Sequence, residues 1–98
     1  QIHYSSSKAG VIALTRCCAE GFAQDGVRIN CIAPGLIDTE MGHAFTPERM
    51  KEIMAGTPMG RMGRPEEIAE VACFLLSARA SFMTGQTVVA SGGRCTVP

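Results

Sequence analysis

The residues of this chain best suited to chemistry are Tyr4 and Lys8. They stand four apart, so on a helix they share one face about a turn from each other. A tyrosine hydroxyl titrates near about 10, too high for easy proton exchange at neutral pH. A nearby ammonium favours the phenolate and lowers that value. Such a pair can give a proton to a carbonyl oxygen or take one from an alcohol. Taken alone, Tyr-x-x-x-Lys is also what an ordinary helix with a solvated lysine looks like. The neighbours offer no second nucleophile: no base or oxyanion motif accompanies Ser5, Ser6 and Ser7, and His3 lacks a partner residue.

The elements that must position this pair follow from the pattern of apolar residues. Tyr4 to about Gln24 contains no proline, and Ala9, Ala13, Cys17 and Phe22, with Val11, Leu14 and Cys18, give a broad apolar surface at helical spacing. Because more than one side is apolar, the helix is expected to pack on both. Asp25-Gly26 should end it, with Gly26 in a left-handed position. Val27 to Ala33 reads as a buried strand of a parallel sheet, stopped at Pro34-Gly35. Thr46-Pro47-Glu48 combines a capping hydroxyl, a first-position proline and an acid, so it predicts a short helix ending near Gly56. A further helix starts at Pro65-Glu66-Glu67 with a stripe of Ile68, Val71, Ala72, Leu75 and Leu76, and ends near Ser77 to Arg79. Thr84-Gly85-Gln86 turns into a strand, Thr87 to Ala90, stopped by Gly92-Gly93. Helix, strand, irregular loop, helix, strand is the tail of an α/β fold.

Composition narrows the class. The chain has 98 residues, nine basic and nine acidic, 46% apolar and 18% charged. That suits a globular chain and argues against nucleic acid as a partner, since counterion release needs clustered Lys and Arg. No apolar run approaches a transmembrane length. The five cysteines are Cys17, Cys18, Cys31, Cys73 and Cys95. Their odd number and the lack of a Cys-x-x-Cys spacing suggest neither a disulfide framework nor a zinc site. Reduced thiols in a cytoplasmic protein are the expectation. The chain opens on Gln1 rather than Met and enters a helical pattern at once, which reads as a segment of a longer chain.

The stretch Tyr4-Ser5-Ser6-Ser7-Lys8-Ala9-Gly10 resembles the active-site helix of the short-chain dehydrogenase/reductase family. Asn30-Cys31-Ile32-Ala33-Pro34-Gly35 is similar to the family's Asn-x-x-x-Pro-Gly. Ile37-Asp38-Thr39, Gly63-Arg64-Pro65-Glu66-Glu67-Ile68-Ala69 and Thr84-Gly85-Gln86 follow in the family's order. The resemblance covers almost the whole chain, and several spaced motifs are far more specific than one.

The resemblance implies an α/β fold in which residues 1–98 are the C-terminal part of a single Rossmann-like, doubly wound parallel sheet. It implies hydride transfer between NAD or NADP and a small carbonyl or alcohol. Tyr4 and Lys8 would be catalytic. They would also touch the cofactor, together with Pro34, Gly35, Ile37 (through its backbone) and Thr39 (through its hydroxyl), and no metal is implied. Thr39 could equally cap the next turn, and Asn30 is expected to be structural. Met41, Met50, Met54, Met59 and Met62 fall in the family's substrate loop, where they could adapt to apolar ligands or fill gaps under a lid.

The family's Gly-rich phosphate loop and upstream catalytic serine lie outside this sequence, so these 98 residues alone are expected to be inactive. A homodimer or homotetramer is implied. Pro34 to Met41 and Thr57 to Gly63 look most like beta-ketoacyl-ACP reductases, enzymes of fatty acid biosynthesis. Sugar, alcohol or steroid dehydrogenases of the family, or a self-association module, are the alternatives. Glu20 and Asp25 sit where those reductases tend to carry basic residues, and acids there would repel an acidic acyl carrier protein. Ser91-Gly92-Gly93 replaces the family's Asp-Gly-Gly, which bears on local packing or subunit contacts.

Overall fold

The computed structural model describes the backbone of residues 2–94 and the side chains of residues 6–94. Three α-helices, α1 (Ile2–Phe22), α2 (Pro47–Ala55) and α3 (Pro65–Leu76), and two strands, β1 (Cys31–Pro34) and β2 (Thr87–Ala90), occur in that region. The order is helix, strand, two helices, strand, as the hydrophobic pattern requires. The strands are paired in a two-stranded sheet. Both run the same way, since Cys31 N–H bonds Gln86 O at 2.8 Å and Gly35 N–H bonds Ala90 O at 3.0 Å. The chain is α/β with a parallel sheet, and it divides into two compact units: Gln1–Cys31 with Phe74–Val88, and Ile32–Cys73 with Val89–Pro98.

In the first unit, α1 passes into a 3-10 turn at Ala23–Asp25 and stops at Gly26, whose φ of 74° is the left-handed stop expected there. Among the described residues, α1 buries one side only. Thr15 and Ala19 are buried, whereas Val11, Leu14 and Phe22 are 52%, 62% and 48% exposed. Thr15 tolerates burial because its hydroxyl donates to Val11 O at 2.8 Å. Gly85 sits close to Ala19: at its φ of +72°, an added Cβ would meet the Ala19 Cβ at 3.2 Å.

The first strand starts later than its sequence pattern suggests. Val27 to Asn30 lies outside β1 because side chains intercept its bonding. Ile29 N–H bonds the Thr84 hydroxyl at 3.0 Å. Asn30 donates from Nδ2 to Met83 O and accepts Gln86 N–H on Oδ1, at 3.1 Å each. That double contact gives Asn30 the structural task expected of it, holding the turn that feeds β2. Arg28 adds a second brace: its guanidinium donates to Leu75 O at 2.8 Å, Ser77 O at 3.2 Å and Met83 O at 3.3 Å. A cation is well placed there, since the last carbonyls of a helix are otherwise unpaired.

Within the second unit, β1 ends on Pro34 rather than before it. Cys31 and Gly35 point their N–H groups at β2. By the strand's period of two, Pro34's missing N–H faces away from the ladder and costs no bond. The helix expected after Thr46 is present: the Thr46 hydroxyl accepts Arg49 N–H at 3.2 Å and Gly56 closes α2. Ala33, Ile53 and Thr57 are buried in this unit, and the Thr57 hydroxyl donates to Ile53 O at 2.7 Å. The stripe of α3 holds for Ile68, Val71 and Ala72, all half-buried. In the first unit Leu75 is buried, but Leu76 is 83% exposed, since it lies at the edge of the stripe by helical angle.

Candidate functional site

α1 runs unbroken through Tyr4 and Lys8, so the two are one turn apart on a continuous helix. Lys8 is half-buried. The side chain of Tyr4 lies outside the described residues. Cys17, Cys18, Cys31 and Cys73 are free thiols, and Cys95 lies outside the described residues. Among the described residues, no helix is long and apolar enough to cross a membrane.

In the second unit, Pro34, Gly35, Ile37 and Thr39 are gathered at the carboxyl end of β1. Gly35 is needed for a close approach: a Cβ there would stand 2.8 Å from Ser91 Cα and 3.0 Å from Ser91 O. The backbone then makes a parallel bridge between Ile37 and Gly63. Gly63 N–H bonds Leu36 O at 2.9 Å and Asp38 N–H bonds Gly63 O at 2.8 Å. This geometry turns the N–H and C=O of Ile37 itself to the opposite side. The carbonyl accepts Thr39 N–H at 2.8 Å, while the Ile37 N–H has no partner among the described residues. A nicotinamide carboxamide carries both an acceptor and donors, so this free N–H beside a carbonyl fits that group chemically.

Thr39 carries the local role foreseen for it as a cap. Its hydroxyl accepts Gly42 N–H at 3.2 Å and lies 3.4 Å from Ile37 O. Gly42 is buried, and a Cβ on it would collide with the Ile37 carbonyl oxygen. The segment from Ile37 to His43 is therefore a small closed loop. Its ends are tied by side chains that the motif reading did not single out: His43 Nε2 stands 2.6 Å from Asp38 Oδ1. Both are exposed, at 58% and 61%. A five-residue separation in a loop carries no periodic signal, so sequence patterning could not have revealed this pair.

A second unforeseen clamp joins the following loop to α3. Arg61 grips Glu67 with both terminal guanidinium nitrogens, at 2.8 and 2.9 Å, and also donates to Met62 O at 3.0 Å. Glu67 reaches back to accept Arg64 N–H at 2.9 Å, which is the acidic half of a capping box at the start of α3. Its carboxyl falls from an ordinary 4.5 to about 2, first through the Arg61 hydrogen bonds and then through the Arg64 N–H. A carboxylate depressed on folding stabilises above its unfolded value and loses that contribution as pH falls toward the folded one. Glu67→Gln should therefore lower the Tm of the intact protein at neutral pH. The gap to the unsubstituted protein should close between about pH 4.5 and 2. Thermal melts across that range check this, and a gap constant down to pH 2 is the contrary result.

The methionines of the loop divide. Met41 and Met59 are 83% and 61% exposed, while Met50, Met54 and Met62 are half-buried. Where the family pattern has aspartate, Ser91 closes a turn by donating to Arg94 O at 2.5 Å, with Arg94 N–H returning to Ser91 O at 3.3 Å.

Residues 1–94 match the family model described as enoyl-(acyl carrier protein) reductase. The chain is 43% identical over 93 residues to the 3-oxoacyl-(acyl-carrier-protein) reductase FabG of Chlamydia pneumoniae, covering 95% of this chain and 38% of that one. It is 44% identical over 95 residues to the acetoacetyl-CoA reductase of Rhizobium meliloti, covering 96% of this chain and 39% of that one. The crystal structure of 3-oxoacyl-(acyl-carrier protein) reductase from Brucella melitensis superposes with a TM-score of 0.87 at 42% identity, over 93% of this chain and 34% of that one. The chain thus spans a little over a third of the length of these relatives. With a family match across nearly all its residues and the same α/β frame, the chain belongs to the short-chain dehydrogenase/reductase family.

Proposed function

We propose that this chain is the C-terminal part of a single Rossmann-like domain, and that it supplies the proton-transfer half of an NAD(P)-dependent oxidoreductase. Tyr4 is the acid/base and Lys8 stabilises its phenolate. Pro34, Gly35, Ile37 and Thr39 hold the nicotinamide end of the cofactor. When bound, the nicotinamide gives or takes a hydride at a carbonyl or alcohol carbon. Tyr4 moves the matching proton at the substrate oxygen, and Lys8 keeps that phenol acidic enough to do so near neutral pH. The Ile37 N–H donates to the carboxamide and orients the ring. The substrate proposed first is a beta-ketoacyl thioester, because the relatives above carry that activity in their names.

The observation that carries this reading is the uninterrupted helix α1, which keeps Tyr4 and Lys8 one turn apart. A second reading draws on the exposed apolar residues Val11, Leu14 and Phe22 of α1. They recur at helical spacing and could bury against another copy, in a homodimer or homotetramer. An assay on the intact purified protein separates the two. Oxidation of NADH or NADPH should follow addition of a beta-ketoacyl thioester, with slower or no oxidation by sugar, simple or steroid carbonyls and slower or no reduction of NAD+ or NADP+ by the corresponding alcohols. A protein that self-associates but oxidises neither cofactor with any carbonyl would leave the module reading in place of the catalytic one.

A further inference from the structure

We propose that Asp38 and His43 form a clasp that sets the cofactor-gripping conformation of Ile37, which makes both of them positioning residues. This rests on the hydride-transfer reading above. Asp38 follows Ile37 directly, and the peptide joining them is pinned on two sides: Asp38 N–H bonds Gly63 O and Thr39 N–H bonds Ile37 O, each at 2.8 Å. Backbone bonds alone leave the far end of the loop to be held by its own turn. His43 supplies the missing tie. Its backbone N–H reaches Thr39 O at 3.1 Å and Glu40 O at 3.2 Å, which seats the residue. Its ring nitrogen then holds Asp38 Oδ1 at 2.6 Å. The loop is closed from its first acid to its last imidazole, with the Gly42 backbone pressed against the Ile37 carbonyl inside it.

The pair also manages charge. Nicotinamide dinucleotides carry a pyrophosphate, and a bare Asp38 carboxylate on the gripping turn would repel it. A partner that donates to that carboxylate offsets the repulsion. Glu40 is the loop's other acid, and no ion pair is formed by it among the described residues. An exposed pair acts weakly, so the expected effects are small multiples rather than orders of magnitude.

The test measures the dissociation constants of NADH and NADPH by nicotinamide fluorescence on the intact protein, together with kcat and the cofactor KM. His43→Gln should weaken cofactor binding about three-fold, with KM rising more than kcat falls. His43→Lys, which again offers an N–H donor to the Asp38 carboxylate, should recover most of that loss. The Asp38→Asn/His43→Gln double variant should bind better than the sum of the single effects requires, which reports coupling between the two side chains. Unchanged affinity in His43→Gln, no recovery by lysine, or strict additivity would each overturn the clasp. An unsubstituted protein that binds neither dinucleotide would overturn the hydride-transfer reading and the clasp with it. A protein that binds cofactor normally but ignores His43→Gln overturns the clasp alone.

Discussion

Tyr4→Phe in the intact protein should lower kcat by about a hundred- to ten-thousand-fold, the range a positioned acid/base supplies, while cofactor affinity changes little. The substitution removes one oxygen and keeps the ring, and phenylalanine and tyrosine have similar helix propensity, so helix α1 is preserved. A hydride reaching a carbonyl carbon leaves negative charge on oxygen, and the relief proposed for it within this chain is the phenol proton. Without that proton the transition state loses stabilisation that the ground state never had, so the loss falls on kcat rather than on binding. Steady-state kinetics paired with a cofactor titration read this directly. A variant within a few-fold of normal turnover would remove Tyr4 from the mechanism, and with it the role assigned to Lys8.

Gly35→Ala carries the second large expectation, and it concerns the frame rather than the chemistry. The new methyl would sit 2.8 Å from Ser91 Cα and 2.9 Å from Ser91 Cβ. An alpha carbon cannot swing aside as a side-chain tip can, so the chain beyond β1 must shift away from Ser91. Overpacking of this kind costs on the order of 1–3 kcal/mol. Gly35 N–H also bonds Ala90 O at 3.0 Å, so the same shift strains the last rung between the strands. Chemical denaturation should show a loss in that range, and cofactor KM should rise, since Ile37 lies two residues on. A variant as stable as its parent would mean that Ser91 yields easily and that the glycine serves the ligand side alone.

The two expectations were not equally legible in the sequence. Tyr4 and Lys8 stand out by type and spacing, because a helix converts a separation of four into a shared face without any tertiary help. Gly35 was expected for closeness to the nicotinamide ring. Its crowding by Ser91 could not be foreseen, since the neighbour is 56 residues away along the chain and arrives only when β1 and β2 pair. The delayed start of β1 has the same origin. Val27 to Asn30 alternates like a strand, yet the Thr84 hydroxyl and the Asn30 amide take up the bonds a ladder would need.

By itself, then, the sequence determined what local rules govern: the three helices, their caps at Gly26 and Thr46, the second strand, and the one-turn separation of Tyr4 and Lys8 on α1. Those features depend on periodicity, backbone preference and separations of a few residues. Tertiary structure decided the rest: which N–H of the Ile37 corner lacks a partner among the described residues, how Arg61 and Glu67 lock the loop to α3, and how His43 closes on Asp38. Each of those depends on where a distant or irregular segment comes to lie, and no short-range pattern encodes that.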